Sequence, residues 1–355
     1  MSSPQRIPVA VLGATGVVGQ RFVARLAEHP WFEVAELSAS ERSAGRRYED
    51  ACAWRLAHNP AYGGLGSREV TPCSADAIRS KVVFSALDAV VAAEVEPRLA
   101  ERGALVFSNA SAFRMDEDVP LLVPEVNPEH AALIETQRAR RGWSGGIVCN
   151  PNCTTAVLSM ALAPLHERFE ISRVIVATLQ AVSGAGYPGV PSLDALGNVL
   201  PFIRGEEDKV ENELAKLLGT WTGTAVRPAP LRASAMCHRV PVVDGHSESV
   251  SLEFARPATP ELVRDTLSEW NPQPQQLGLP SAPRRPIVLH AAQDRPQPRL
   301  DVDFDGGMAV HVGRIRPCPV LGTKLFVLGN NVERGAAGAS VLNAELFAAR
   351  GLLPR

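Results

Sequence analysis

The sequence lacks any long apolar run, since no stretch of about 18 uninterrupted apolar residues occurs in its 355 residues. The first residues, MSSPQRIPVAVLGATG, carry no extended apolar segment before the first glycine turn, so we expect neither a membrane anchor nor a secretory leader. Internal repeats and low-complexity tracts are also missing. A content of 45% hydrophobic and 21% charged residues instead predicts a soluble globular protein with a sizeable core.

Cysteine is scarce, and an excess of charge of either sign is absent. Six cysteines in so long a chain do not form a disulfide scaffold, and no Cys-x-x-Cys zinc spacing occurs. We therefore expect no metal site and a reducing, cytoplasmic setting. The formal net charge of −2 excludes the basic surplus typical of nucleic-acid binding, so the expected partners are small molecules.

The length predicts about two domains, and the first has the pattern of a parallel sheet. Strand-like runs alternate with helix-like stretches such as GQRFVARLAEH and VVAAEVEPRLAERG, which predicts a Rossmann-type, doubly wound α/β domain over residues 1–150. The strand-like runs are IPVAVLG, FEVAELSAS, KVVFSAL and ALVFSNAS.

The second half has longer, partly alternating strands. RVIVATLQAV, SVSLEFA and MAVHVGRIRP read as strands, and PATPELVRDTLSEW reads as a helix that opens at Thr259-Pro260. We expect an α+β domain over residues 151–330, with a mixed sheet and helices on one face. The closing helical segment, about residues 331–355, is expected to pack back on the first domain.

A glycine-rich turn follows the first strand. Gly13, Gly16 and Gly19 in VLGATGVVGQ have the spacing G-x-x-G-x-x-G, in which glycine lets the backbone approach a pyrophosphate and lets helix pack on sheet. Glycines also serve ordinary turns, but this placement between a strand and an amphipathic helix favours a nucleotide site. The residues expected to contact the cofactor here are Gly13, Thr15, Gly16, Val17, Val18 and Gly19, with Ser85 from the strand KVVFSAL.

The end of the second strand should distinguish NADP from NAD. An acidic residue there would bind a ribose 2′-hydroxyl, whereas basic and hydroxyl groups would bind a 2′-phosphate. In LSASERSAGRR, Glu41 favours NAD weakly, and a solvated polar loop is the plain alternative. We interpret four donors as favouring NADP: Ser38, Ser40, Arg42 and Ser43.

The stretch CNPNCTTAV places Cys153 where a strand ends and a helix begins. Free N–H groups and the dipole at a helix start favour a thiolate, the form that attacks carbonyl carbon. A buried cysteine that only packs is the alternative. If Cys153 is a nucleophile, a base and an anion site must lie nearby, and AMCHRVPVVDGHSESV offers His238 and His246 as candidate bases. Arg239 in the same segment is a candidate for binding a substrate carboxylate, with a surface charge as the alternative.

A second cationic pair, Arg114 in SNASAFR and Lys209 in RGEEDK, is a candidate for binding phosphate. Glu206 and Lys209 are equally well explained as an i,i+3 ion pair on a helix surface.

Across almost its whole length, the sequence resembles the aspartate-β-semialdehyde dehydrogenases, particularly those of archaea and fungi. The motifs that carry the resemblance are GATGVVGQRF, ASERSAGRRY, NPNCTT, LQAVSGAGYPG, RGEEDK, HRVPVVDGH and NNVERGAAG. The resemblance implies NADP-dependent, reversible conversion of L-aspartyl-4-phosphate to L-aspartate 4-semialdehyde and phosphate, a step toward lysine, methionine and threonine. It also implies a catalytic and dimerisation domain like that of glyceraldehyde-3-phosphate dehydrogenase, and a homodimer or homotetramer.

The resemblance also implies roles for individual residues. Cys153 is the expected nucleophile, His246 the general acid/base and Gln180 the residue that positions the substrate. The expected substrate and phosphate contacts are Arg239, Arg114, Glu206, Lys209 and Asn152, and the further cofactor contacts are Ser183, Gly184, Gly186 and Asn331.

Two other functions are alternatives for this sequence. Malonyl-CoA reductase shares the SGAGYPG loop and would also use a cysteine and NADPH. A non-catalytic, NADP-sensing Rossmann protein is the alternative of a different class, and activity distinguishes it.

Overall fold

The computed structural model describes residues 6–56 and 64–354, which form two sheets with their covering helices. Short 3-10 segments and one π-helical segment, Glu333–Ala337, connect some of the elements. The strands are β1 Ile7–Leu12, β2 Phe32–Ala39, β3 Val70–Pro72, β4 Val82–Ser85, β5 Leu105–Ser108, β6 Gly146–Cys149, β7 Ile171–Gln180, β8 Thr220–Trp221, β9 Val226–Arg227, β10 Arg232–Arg239, β11 His246–Phe254, β12 Ile287–Leu289, β13 Val310–Cys318 and β14 Gly322–Gly329. The helices are α1 Val17–Leu26, α2 Tyr48–Ala51, α3 Ala89–Glu101, α4 Leu133–Arg141, α5 Cys153–Phe169, α6 Ser192–Ala195, α7 Glu206–Leu217, α8 Pro260–Glu269, α9 Gln273–Gln276, α10 Pro298–Asp301 and α11 Gly338–Ala349.

The first sheet is wholly parallel, with strand order β3-β2-β1-β4-β5-β6. The order reverses between β1 and β4, and such a switch point opens a crevice at the carboxyl ends of the strands. The apolar runs form these strands because helices cover both faces of a parallel sheet, so that every residue of β4, β5 and β6 is buried. The predicted Rossmann-type, doubly wound fold is confirmed.

The last helix, α11, packs against the first sheet. Phe347 of α11 meets Phe107 of β5 edge to face, with ring centroids 5.5 Å apart. Asn150, just after β6, donates to Ser340 Oγ at 2.7 Å and accepts from Asn343 at 2.6 Å. The regular helix begins only at Gly338, later than the predicted helical segment. The domain boundaries at residues 150 and 330 stay a prediction, and residues 1–5 and 355 lie outside the described part of the chain.

The second sheet is mixed, with order β10-β7-β11-β14-β13-β12. The pairs β10–β7 and β12–β13 are parallel and the other three are antiparallel, which confirms the predicted mixed sheet. Helix α5 packs against β7, β11, β13 and β14. The opposite face carries exposed apolar side chains, among them Ile175, Leu179 and Met236.

Strand register gathers polar residues at one end of this sheet. Gln180, the last residue of β7, pairs with Arg239, the last residue of β10, and His246 opens the neighbouring strand β11. Helix α5 begins close to the carboxyl end of β6 in the first sheet. The polar end of the second sheet therefore meets the crevice of the first. Among the described residues, no helix combines the length and hydropathy needed to cross a bilayer.

Candidate active site

Cys153 is the first residue of α5, as its sequence context predicted. Asn152 is the N-cap, and its side-chain oxygen accepts from the N–H groups of Thr154 at 3.0 Å and Thr155 at 3.2 Å. Those two bonds satisfy donors that a helix start leaves unpaired. The Cys153 sulfur lies 3.3 Å from Nε2 of His246, so thiol and imidazole form a direct pair.

The electrostatic state of Cys153 differs from the sequence-based expectation of a favoured thiolate. Burial raises the pKa of the Cys153 thiol to about 12, and the negative charge of Glu206 adds to the rise. Arg114, the Thr154 N–H and Arg239 act in the opposite direction but do not overcome desolvation. The helix start is present, yet in the unliganded site the thiol keeps its proton.

His246 is fully buried, and its environment determines its tautomer. Nδ1 accepts a hydrogen bond from the Ala181 N–H at 3.1 Å, so the proton of a neutral ring resides on Nε2, facing the sulfur. Burial, followed by the positive charge of Arg239, lowers the pKa of His246 to about 3. The imidazole is therefore neutral and presents an N–H donor to the reacting centre.

His238, the other candidate base, lies elsewhere. Its Nδ1 faces the carbonyl oxygen of Thr178 at 3.1 Å, one strand away. Successive side chains of a strand point to opposite faces, so β10 directs Arg239 into the site and His238 away from it.

Arg239 is buried beside the Cys153–His246 pair. Its Nη1 donates to the Ala181 carbonyl at 2.7 Å, while the Ala181 N–H serves His246. Gly184 packs against both side chains: a Cβ there would lie 2.8 Å from Arg239 Nη1 and 3.1 Å from His246 Nε2. One short backbone segment thus aligns an arginine and a histidine.

A polar cluster surrounds the cap of α5. Glu206 accepts from the Asn152 side chain at 2.9 Å, from Lys209 at 3.0 Å and from Gln180 at 3.3 Å. Burial alone would raise the pKa of Glu206, but Lys209 and these hydrogen bonds hold it below its usual value. The predicted i,i+3 ion pair exists, and it also belongs to the site.

Arg114 joins the cluster through Glu213, a residue that the sequence analysis missed. Arg114 Nη1 lies 3.1 Å from Glu213 Oε1, and Glu213 Oε2 accepts the Asn152 N–H at 2.5 Å. Glu213 follows Glu206 by two helical turns on α7, a spacing that could have identified it. The Arg114 Nε–H is buried and has no hydrogen-bond partner among the described residues, so it is a donor left unsatisfied in the unliganded site.

The glycine turn fits a dinucleotide. Gly13 has φ +71°, and a Cβ at Gly19 would lie 2.1 Å from the Gly13 carbonyl oxygen, so the turn closes tightly only with glycine. Gly16 caps α1 without a side-chain hydrogen bond, which leaves the first N–H groups of the helix, from Val17 and Val18 onward, for a phosphate. Thr15 lies in this turn, between Gly13 and Gly16.

The serines expected at the cofactor flank the glycine turn. Ser38 and Ser85 both pair in register with Leu12, one on each side of β1. Beyond β2 the chain turns through a hydrogen bond from the Ser43 N–H to the Ser40 carbonyl at 2.8 Å, with Arg42 exposed. Ser40, Arg42 and Ser43 thus share one turn, whereas the Ser38 hydroxyl is buried and donates to Cys73 at 3.2 Å.

The structure also brings Asn331 to the loop near the second sheet. Asn331 donates to Ser183 Oγ at 2.9 Å and accepts the Gly245 N–H at 2.8 Å. Gly186 ends this loop with φ +70°. The C-terminal segment therefore links the loop that carries Ser183 and Gly184 to the residue preceding His246.

Known proteins resemble this chain over nearly its full length. The family described as "Semialdehyde dehydrogenase, NAD binding domain" matches residues 8–134, and "Semialdehyde dehydrogenase, dimerisation domain" matches residues 162–334. Aspartate-semialdehyde dehydrogenase of Archaeoglobus fulgidus is 51% identical over 342 residues, which cover 96% of this chain and 98% of the relative. The Cryptococcus neoformans enzyme is 46% identical, covering 99% of this chain and 100% of the relative.

Solved structures agree with these sequences. The crystal structure of aspartate semialdehyde dehydrogenase with NADP from Candida albicans has a TM-score of 0.90 and 44% identity, covering 98% of this chain and 100% of that chain. Aspartate semialdehyde dehydrogenase II of Vibrio cholerae, complexed with ASA, has a TM-score of 0.76 and 30% identity, covering 97% of this chain and 98% of that chain.

Proposed function

The chain belongs to the aspartate-semialdehyde dehydrogenase family, and from this premise we propose how its residues carry out the reaction. The reaction is the reversible, NADP-dependent conversion of L-aspartyl-4-phosphate to L-aspartate 4-semialdehyde and phosphate, in the biosynthesis of lysine, methionine, threonine and diaminopimelate. The assignment of residues rests on the 3.3 Å contact between Cys153 Sγ and His246 Nε2, with the buried side chains of Arg114 and Arg239 beside it.

Arg239 and Arg114 are the groups that orient the substrate. Arg239, aligned by Ala181, binds the α-carboxylate, and Arg114 with Lys209 binds the phosphate. Gln180, held by Glu206, positions the acyl group between them. This places the carbonyl carbon of the substrate near the Cys153 sulfur.

The first chemical step forms the acyl-enzyme. The Cys153 sulfur forms a C–S bond as the C–O bond to phosphate breaks, and the thiol proton leaves with the phosphate. Because the unliganded thiol has a raised pKa, we infer that its deprotonation accompanies C–S bond formation, with the phosphate taking the proton, rather than preceding substrate binding. Asn152 fixes the start of α5 by accepting from the Thr154 and Thr155 N–H groups, and the Cys153 N–H is then the backbone donor for the developing oxyanion.

The second step reduces the thioester. Bound NADPH supplies the hydride that converts the thioester carbonyl to a thiohemiacetal oxyanion. The neutral His246 stabilises that oxyanion with a hydrogen bond from its Nε2–H and keeps its proton; as the C=O bond re-forms, the C–S bond breaks and releases the semialdehyde and the Cys153 thiolate, which takes up a proton from water. A neutral imidazole suits this task because Ala181 holds its donor toward the site.

The chain's own residues also hold the cofactor. The turn from Gly13 to Gly19 and the start of α1 bind the pyrophosphate, and Ser40, Arg42 and Ser43 bind the 2′-phosphate. Ser38 and Ser85 line the crevice, and the loop of Ser183, Gly184 and Gly186, tied down by Asn331, borders the nicotinamide.

The second domain is a dimerisation domain by its family match. We propose that the exposed apolar face of its sheet forms a homodimer interface. A tetramer and a cytoplasmic location are further predictions. The relatives named above do not support malonyl-CoA reduction or non-catalytic NADP sensing.

Activity of the purified protein tests the proposed function. With L-aspartate 4-semialdehyde and NADP, we expect NADPH formation that depends on added phosphate, and no oxidation of NADPH with malonyl-CoA. Turnover with malonyl-CoA alone would overturn the substrate, and turnover by Cys153→Ala would overturn the nucleophile.

A further inference from the structure

Lys216 is a buried cation in the last turn of α7, only 7% exposed. Its ammonium donates to three backbone carbonyl oxygens, those of Arg114 at 2.7 Å, Asp116 at 2.7 Å and Val119 at 2.9 Å. A lysine ammonium has three N–H donors, so all of them are used, and none goes to a carboxylate. A buried charge is energetically costly unless it is fully hydrogen-bonded. The Lys216 ammonium is therefore stable in this position because the three carbonyls of the loop accept its hydrogen bonds.

The loop that Lys216 binds runs from residue 109 to residue 119 and contains neither helix nor strand. At its far end, Arg141 binds Asp116 and Asp118 through their side chains. Lys216 binds the backbone instead, and one of its acceptors is the carbonyl of Arg114 itself. It therefore controls where the Arg114 backbone lies.

The side chain of Arg114 is held from the same helix. Glu213, three residues before Lys216 on α7, contacts Nη1 at 3.1 Å, and the Asn109 carbonyl accepts from Nη2 at 2.8 Å. The buried Nε–H remains without a partner among the described residues and is available to an anion. Helix α7 thus binds Arg114 at two points. Lys216 binds the Arg114 backbone, and Glu213 binds the Arg114 guanidinium.

We propose that Lys216 is a positioning residue of the phosphate subsite, holding the 109–119 loop so that the Arg114 guanidinium meets the phosphate in the orientation required for catalysis. This inference rests on the proposed function. The three N–H donors of Lys216 all go to carbonyl oxygens of the loop, so it acts through Arg114 and not on the phosphate itself.

The charge state of Lys216 is consistent with this role. Burial lowers the pKa of Lys216 to about 8, while Cys149, Asp116, Asp118 and Glu213 favour its charged form. At neutral pH it is a cation with three donors. A purely structural brace would affect the melting temperature and the yield of folded protein but not the affinity for phosphate in particular.

The test compares Michaelis constants in the direction of semialdehyde oxidation, where phosphate is a substrate. Lys216→Met removes the ammonium but keeps the aliphatic stem. The matched control is Lys81→Met, because Lys81 also donates to a backbone carbonyl, that of Arg102 at 2.7 Å, which lies outside the 109–119 loop. We expect Lys216→Met to raise KM for phosphate on the order of tenfold, with KM for NADP changed less than about twofold, because misplacement of a positioning group weakens only what it positions.

Coupling to Arg114 provides the sharper readout. In an Arg114→Met background, adding Lys216→Met should cause no further rise in KM for phosphate, because the group it positions is already gone. Lys216→Arg keeps the charge in a planar shape that cannot match all three carbonyls, so it should raise KM for phosphate to a smaller extent. It also serves as the test if the methionine variant does not fold.

The possible outcomes distinguish a failure of the positioning role of Lys216 from a failure of the proposed function on which it rests. If the wild-type protein shows no phosphate-dependent turnover, the proposed function fails. If the wild type is phosphate-dependent but KM for phosphate is unchanged in the folded Lys216 variants, or rises together with KM for NADP, the positioning role is wrong. Additive effects of the Arg114 and Lys216 substitutions would also overturn it.

Discussion

At the scale of single residues, the site is a pair of neutral groups. The Cys153 thiol and the His246 imidazole lie 3.3 Å apart, yet burial raises the pKa of the first to about 12 and lowers that of the second to about 3. Both shifts disfavour the charged form, as expected for groups removed from water. Reactivity must therefore come from the bound substrate and cofactor rather than from a preformed thiolate–imidazolium pair.

This state predicts the pH dependence of alkylation. In the free protein, the rate at which iodoacetamide modifies Cys153 should rise steadily with pH up to at least about pH 10, because the thiolate fraction grows tenfold per pH unit below the pKa. Modification can be followed by peptide mass spectrometry, with Cys153→Ala as the blank. A plateau near neutral pH would show a preformed thiolate.

The preference for NADP over NAD is predicted to depend on Arg42. Arg42→Ala should weaken NADP on the order of tenfold or more and leave NAD nearly unchanged, since a charge-assisted hydrogen bond to the 2′-phosphate exists only for NADP. Titration of both cofactors by fluorescence measures this, and Arg46→Ala in the same basic segment is the control. Equal weakening of both would contradict the assignment.

The sequence predicted some of these residues and not others. It found Cys153 and the glycine turn because their neighbours in the chain define them. His238 and His246 could not be separated by spacing alone, since the choice depends on which strand face each occupies and on the resemblance. Glu213 was missed because a glutamate on a helix surface looks ordinary until its partner, Arg114, arrives from another element.

At the scale of elements, short segments place several groups at once. The 3-10 turn Val182–Ala185 aligns Arg239 and His246 through the Ala181 backbone and the close approach of Gly184. The sequence predicted a loop here, but not that its backbone would contact both side chains, because these contacts join segments about 60 residues apart in the chain.

Gly184→Ala tests this alignment. The added methyl would lie 2.8 Å from Arg239 Nη1 and 3.0 Å from His246 Cε1, so one of them must move. We expect kcat/KM to fall on the order of 100-fold, with the melting temperature little changed. Ala185→Ser, in the same turn, is the control, and unchanged turnover in Gly184→Ala would show that the contact does not align the site.

At the scale of the whole molecule, the two sheets meet at the site. The carboxyl ends of β7 and β10 and the start of β11 face the start of α5. Local patterns predicted both fold classes but not the order of the second sheet, because that order depends on pairings between strands distant in sequence. The same order creates an open sheet face with Ile175 51%, Leu179 39% and Met236 59% exposed. Exposed apolar clusters of this kind are typical of interaction surfaces.

Ile175→Arg therefore should shift the protein from dimer toward monomer, because burying an unpaired charge in an apolar interface is costly. Light scattering after size exclusion measures the mass. Val90→Arg, at an exposed apolar position on α3 of the other domain, is the control. A dimer that persists in Ile175→Arg at low micromolar concentration would place the interface elsewhere.

The central claim is that Cys153 carries the acyl group between the two half-reactions, and a rapid-mixing experiment tests it most directly. With L-aspartate 4-semialdehyde and NADP but no phosphate, we predict a stoichiometric burst of NADPH and an acyl adduct on Cys153 in the intact mass spectrum, both discharged when phosphate is added. Absence of both the burst and the adduct, or a burst that persists in Cys153→Ala, would contradict the account.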